Sequence, residues 1–302
     1  MNSEDIQKVL ILGAGTMGHQ IGFLCATHGL EVAVFDISEE SLTAAQGKVQ
    51  KLARRFVKME KLDQAGAEAA FNRMSFTSNP QRAAKDADII SESVPENPEV
   101  KGNIFRQFHE LCPEHTLFTT NTSTLVPSMF AEASGRPEKL AALHFHDVAF
   151  NNVVDIMPHP GTSPDTVEKL KAFAERTGLI AIVLNRENPG YLFNSMLTEW
   201  FRAAQSLAAR EVASPRDIDR AWMGVMGVGA GPFGIMDSIG LDTVHSITRF
   251  WAEKTEDPRA MENAAFMKTF VDKGELGVKT GKGVYTYPGP EFKHPDFLKG
   301  HK

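Results

Sequence analysis

Short apolar runs alternate with longer stretches of helical periodicity through the first two thirds of the chain, and then the alternation stops. Val9–Leu12, Val32–Phe35, Met74–Ser78, Ala87–Ser91, Thr116–Thr120, Leu140–Phe145, Val153–Met157 and Leu179–Val183 read as strands. Between them, the segment carrying Ile21, Leu24, Cys25 and His28, the stretch Ser38–Leu62, a polar alanine-rich segment after it, and Glu99–Leu111 read as helices. Strands alternating with helices predict an α/β fold with a doubly wound, mainly parallel sheet. Near Glu187–Gly190 the pattern changes: Leu192, Met196, Trp200 and Ala203/Ala204 recur at three- and four-residue spacing. Pro215–Val225, Pro232–Ile239 and Asp242–Glu253 continue as helices. The expected organisation is an α/β domain over residues 1–188 and an all-helical domain over 189–302, with no internal repeat.

The junction of the first strand and first helix reads Gly13-Ala14-Gly15-Thr16-Met17-Gly18. Strand, glycine turn and helix in this order form the phosphate-binding turn of a Rossmann-like fold. Gly13 permits the turn, Gly15 lets backbone approach a pyrophosphate, and Gly18 lets helix pack on strand. The anion then rests on unpaired N–H groups at the positive end of the helix dipole. A second apolar run ends in Asp36, whose carboxylate suits the adenosine ribose hydroxyls and repels a 2′-phosphate. Ile37-Ser38-Glu39-Glu40 offers no arginine to offset that repulsion, so NAD is expected rather than NADP.

Bulk composition narrows the class. At 302 residues, with 42% hydrophobic and 23% charged side chains, the chain is that of a globular protein of one large domain or two ordinary ones. A net charge of −6 argues against a nucleic-acid partner, although Arg54, Arg55 and Lys58 offer local anion contacts or a solvated helix face. Cys25 and Cys112, without a CxxC or zinc-type spacing, indicate buried thiols. The first eight residues are too polar for a signal peptide, and no apolar run approaches the roughly 18 residues that span a bilayer. A cytoplasmic-type protein with a small-molecule substrate and no membrane partner is expected. The apolar faces of the helical part exceed what a small bundle buries alone, so a homodimer is expected through it.

Ligands of an open parallel sheet bind beyond the carboxyl ends of its strands. There the sequence places Ser91–Glu96, Asn121-Thr122-Ser123 and His144-Phe145-His146-Asp147, and the hinge adds Asn194. His144 suits acid–base work near neutrality. If the runs around residues 144 and 153 pair antiparallel with the reversal near Ala149-Phe150, Asp155 faces His144 and orients its ring. His144 and His146, two apart on one strand face with Asp147 and His159 near, have a spacing that can hold a metal. No third ligand is compelling and proton abstraction needs none, so no metal is expected. Ser123 reads either as a hydrogen-bond donor to a substrate oxygen or as a cap before Leu125–Phe130.

These residues resemble the 3-hydroxyacyl-CoA dehydrogenase family over almost the whole chain. Gly13–Gly18 with Asp36 is similar to its NAD fingerprint, and Glu92-Ser-Val-Pro-Glu96 with Lys101 to its E-x-x-x-E-x-x-x-x-K segment. Asn121-Thr122-Ser123 matches N-T-S, His144-Phe145 starts H-F-F-N-P, and Pro189–Asn194 resembles P-G-F-x-x-N. Asp217-Ile-Asp219, Gly231-Pro-Phe233, Asp237, Gly240-Leu-Asp242 and Lys279–Gly283 repeat second-domain signatures. The resemblance implies Glu96, Lys101 and Asn121 beside NAD, His144 as general base, Asp155 as its partner, and Ser123 and Asn194 on substrate oxygens. It implies interconversion of 3-hydroxyacyl-CoA and 3-oxoacyl-CoA. Two departures stand out: an aspartate where the family usually has glutamate, and His144-Phe-His-Asp-Val148 without the asparagine and proline. The stretch 144–152 is similar to a bacterial sub-branch that includes ketoreductases of β,δ-diketo esters, with sister branches acting on L-gulonate or carnitine. The alternative substrate is accordingly a free 3-oxo or 3-hydroxy compound.

Overall fold

The computed structural model describes residues 6–300, which fall into two compact units, 6–193 and 194–300. The first unit closes at Phe193, beyond the expected 188, because the turn before it is packed inward: Tyr191 is buried among Ala142, Met157 and Leu184.

In the first unit, eight strands form one sheet in the order β3-β2-β1-β4-β5-β6-β7-β8. They are β1 (Lys8–Leu12), β2 (Glu31–Phe35), β3 (Met74–Thr77), β4 (Ile89–Glu92), β5 (Leu117–Thr120), β6 (Leu140–Phe145), β7 (Val153–Pro158) and β8 (Ile180–Val183). Neighbours among β1–β6 pair parallel, β7 turns back antiparallel on β6, and β8 runs parallel to β7. The central strands are apolar and buried on both faces, which helices must therefore cover. α1 (Thr16–Thr27), α2 (Glu39–Lys58) and α6 (Pro164–Arg176) contribute to one buried cluster with Ile11, Val34 and Phe173, and α5 (Pro98–Leu111) contributes Phe105 and Phe108 to the other. α3 (Gln64–Asn72) and α4 (Pro80–Ala84) complete the crossovers.

Local chemistry sets several helix starts. Ser38 accepts the Ser41 N–H, Asp63 the Gly66 N–H, and Asn97 the N–H groups of Glu99 and Val100 ahead of α5. α2 stops at Lys58 rather than continuing to Leu62, with Glu60 in the left-handed region at φ 56°. Strand order reverses around β1, which lies between β2 and β4, so the crevice at the carboxyl ends of β1 and β4 is where this topology takes a ligand.

The second unit holds α7 (Phe193–Ala209), α8 (Pro215–Met226), α9 (Pro232–Ile239), α10 (Leu241–Thr255) and α11 (Pro258–Val271) around Phe201, Phe233, Met236, Met267 and Tyr285. Its sequence signatures are structural. Asp219 accepts the N–H groups of Phe233 (2.8 Å) and Gly234 (2.9 Å) at the start of α9, and Asp237 those of Val284 and Tyr285 (both 2.9 Å). Lys279 pairs with Asp242 at 2.5 Å. No helix among the described residues is long and apolar enough to cross a membrane.

Candidate active site

The glycine turn stands at the β1–α1 junction. Gly13 has φ +100°, and a Cβ on Gly18 would come within 1.9 Å of the Gly13 carbonyl oxygen, so helix meets turn only without a side chain there. A Cβ on Gly15 would meet nothing within 4 Å, and α1 has no side-chain cap. The N-terminal N–H groups therefore face open space that an anion can occupy. Asp36, at the end of β2, is fixed by the N–H groups of Ala14 (2.9 Å) and Ser38 (3.0 Å).

Beside this turn, a cleft of about 350 Å³ is lined by Thr16, Met17, Ser93, Val94, Glu96, Lys101, Asn121, Ser123 and Thr124. The Ser93 hydroxyl oxygen is buried there and has no hydrogen-bond partner among the described residues. An open helix terminus, an orphaned hydroxyl and a fixed carboxylate at the ribose position fit an NAD molecule lying across β1 and β4.

Under the cleft lies a charge cluster, with Lys101 and Glu92 buried and Glu96 reaching the surface. Lys101 is 1% exposed and contacts Glu92 at 2.7 Å and Glu96 at 3.3 Å. Glu92, fully buried, also accepts the Thr120 hydroxyl (2.6 Å) and the Val94 N–H (2.7 Å). Glu96 accepts the hydroxyls of Thr122 and Thr124. Burial opposes the charge of Glu96, but these donors and Lys101 outweigh it and bring its carboxyl down to about 2. Glu92 and Thr122 lie in the segments singled out at the strand ends but were given no role of their own, and Thr124 was not singled out. The hydroxyl that caps the turn at Leu125 belongs to Thr122, at 3.0 Å, while Ser123 lines the cleft.

β6 and β7 pair with His144 opposite Asp155, the register read from the sequence. His144 Nδ1 donates to Asp155 Oδ2 at 3.3 Å, leaving Nε2 for other work. Tyr191, at φ 53°, lays its ring on that of His144, with centroids 4.6 Å apart. His146 brings Nε2 to 3.4 Å from the same Asp155 oxygen, and its ring stands edge-on to His144 (4.8 Å) and to Phe193 (5.4 Å). Burial alone raises the Asp155 carboxyl, but both imidazoles outweigh it and hold it at about 2. Asp155 is thus an anion throughout the neutral range.

The sequence reads His146 only as a neighbour of His144 at metal-ligand spacing, not as a contact of Asp155, and gives Tyr191 no site role. Side chains two apart on a strand share a face, and a diagonal neighbour lies within reach of a long side chain, so His146 toward Asp155 was inferable once the register was drawn. Asp147 and His159 do not join the pair: Asp147 accepts the Ala149 N–H, and His159 Nε2 meets the Pro137 carbonyl. Asn121 receives the Phe145 N–H at 2.7 Å, which ties the end of β5 to β6. Asn194 stands in the first turn of α7, at the start of the second unit.

Comparison with known proteins places the fold in a family. Residues 8–187 match the model of the 3-hydroxyacyl-CoA dehydrogenase NAD binding domain, and residues 190–287 that of the C-terminal domain. The chain belongs to the 3-hydroxyacyl-CoA dehydrogenase family. It is an NAD-dependent oxidoreductase of that family. Mouse mitochondrial hydroxyacyl-coenzyme A dehydrogenase is 31% identical over 288 residues, covering 93% of this chain and 91% of that one. A probable 3-hydroxybutyryl-CoA dehydrogenase of Bacillus subtilis is 29% identical, covering 94% and 98%. Among solved structures, a diketoreductase described as acting on dicarbonyl compounds superposes with TM-score 0.86 at 36% identity, covering 93% and 99%. The (S)-3-hydroxybutyryl-CoA dehydrogenase of Ralstonia eutropha superposes with TM-score 0.83 at 29% identity, covering 94% and 100%.

Proposed function

We propose that this protein interconverts (S)-3-hydroxyacyl-CoA and 3-oxoacyl-CoA, with His144 as the general base. The observation that carries the reading is that His144, on the strand β6 beside β5 whose end enters the cofactor cleft, donates its Nδ1–H to a buried, ionised Asp155. NAD, when bound, supplies the acceptor for the substrate hydride. His144 Nε2 takes the hydroxyl proton, and Asp155 fixes the Nδ1–H tautomer and stabilises the imidazolium that forms. In the reducing direction the same ring returns the proton. Ser123, on the cleft wall, donates to the substrate oxygen. Asn194 is given the second such role on its place in the Pro189–Asn194 motif alone. Gly13, Gly15, Thr16, Met17, Gly18, Asp36, Glu96, Lys101 and Asn121 hold the dinucleotide, and Lys101, neutralised by Glu92 and Glu96, keeps the cleft floor rigid.

A free 3-oxo or 3-hydroxy compound is the second reading. It is favoured by the 36% identity to the diketoreductase and by His146, a polar ring beside the base. Following NADH absorbance with acetoacetyl-CoA and with a free 3-oxo ester in parallel separates the two. The first reading expects faster turnover of the thioester, and faster turnover of the ester replaces it with the second. An inert protein in both assays removes both.

The working form is a homodimer built through the second unit, where Trp222, Val225, Met226, Phe250 and Trp251 are exposed. Light scattering on the eluted protein tests this, a monomer mass contradicting it. A reducing, cytoplasmic compartment suits Cys25 and Cys112, both buried and unpaired with each other.

A further inference from the structure

His144, His146 and Asp155 present a set of donors that the hydride reaction does not need. One ligand atom from each lies within 4.8 Å of the others. For a tetrahedral ion with bonds of ~2.0–2.2 Å, ligand atoms sit ~3.3–3.6 Å apart. Two of the three edges already have that length: 3.3 Å from His144 Nδ1 to Asp155 Oδ2, and 3.4 Å from His146 Nε2 to the same oxygen. The third, between the two ring nitrogens, is no longer than 4.8 Å, and His146, at 16% the most exposed of the three, is the ring with room to adjust. Two imidazoles and one carboxylate with an open fourth position form the ligand set of borderline transition ions. Both rings converge on one carboxylate oxygen, so a dication placed between them would contact all three ligand atoms at once.

We propose that His144 Nδ1, His146 Nε2 and Asp155 Oδ2 form a binding site for a divalent transition ion of the zinc type, and that the bound ion switches the base off. An ion at Nδ1 takes the place of the Nδ1–H proton and uses that nitrogen's lone pair. The ring's single remaining proton then sits on Nε2, which no longer has a lone pair for the substrate proton. The site stands on geometry alone, whereas its effect on turnover rests on His144 acting as the base.

The test uses tag-free protein dialysed against EDTA. Calorimetry with ZnCl2 and visible spectra with CoCl2 are recorded for the native chain and for His146→Phe and Asp155→Asn. Expected are one ion per chain, the intense visible bands of tetrahedral cobalt, and at least a ~100-fold loss of affinity in each variant, more than outer-shell changes cause. His146→Phe keeps a ring against Phe193, and matching circular dichroism establishes that it is folded. No binding, or equal affinity in folded His146→Phe, overturns the site. In parallel, Zn2+ titrated into the NADH assay is expected to abolish turnover over the concentration range of binding, with recovery in EDTA. Binding through these ligands with full turnover overturns the switch and removes His144 from the base's role, while leaving the site in place.

Discussion

Each unit buries a group of carboxylates, and the two units surround them differently. Asp155, buried, and Glu96, 39% exposed, of the first unit face imidazoles, an ammonium and hydroxyls, and both are held at about 2. Asp219 and Asp237 of the second unit face backbone N–H groups and tyrosine hydroxyls, with no cation within ion-pair distance among the described residues. Burial dominates there, and the Asp219 carboxyl is pushed up to about 6. Depth of burial counts beside the partner, because fully buried Glu92 of the first unit is pushed up by burial even with Lys101 against it. A buried carboxylate marks a reactive site when a proton-carrying partner shares it, not merely because it is buried.

The contrast can be broken at several points. Lys101→Met removes the cation that offsets fully buried Glu92. The expected loss is about 3–5 kcal/mol in urea unfolding, and a loss below about 1 kcal/mol would show that Glu92 needs no partner.

Asp219 predicts a pH dependence of the opposite sign to a salt-bridged acid. Its folded value is about 6 against an ordinary 3.8, so between these values the native state binds more protons than the unfolded chain. Stability contributed by this group is full below pH 4 and falls as pH rises through 6, by up to about 3 kcal/mol. Asp237 is shifted the same way. Thermal unfolding of the native chain and Asp219→Asn from pH 4 to 7 should show a steeper fall in the native chain, the remainder in the variant coming from Asp237, and parallel curves would contradict the assignment.

Asp155→Asn removes the group that fixes the His144 tautomer. Turnover is expected to drop ~10²-fold or more with the fold retained, and activity within a factor of about 3 would return Asp155 to a structural role. At the small end, Glu262→Gln breaks the exposed pair with Arg210, both side chains being half exposed. A change below about 1 kcal/mol is expected, and a larger one would mean that burial is not what separates the two classes.

Much of the first unit was legible because parallel strands buried on both faces are nearly continuous apolar runs, as in β1, β2 and β6. The pairing of His144 with Asp155 followed from counting back from one turn. α4, α6 and α11 were not singled out: α4 is short, and α11 (Pro258–Val271) mixes charged and apolar residues without a clear stripe. Ser123 was ambiguous because Thr122 next to it has the same capping chemistry, and only backbone direction decides between neighbours. His146 and Tyr191 needed tertiary placement. One lies diagonally across the strand pair, and the other reaches His144 from 47 positions along the chain through a left-handed turn.

The claim on which the rest depends is that Asp155 serves His144, and His144 the substrate proton. Replacing His144 with Gln and measuring turnover beside NADH affinity on one preparation tests it most directly. The account predicts a ~10²–10⁴-fold fall in kcat with NADH bound as tightly as by the native chain. Retention of most turnover by folded His144→Gln would contradict it.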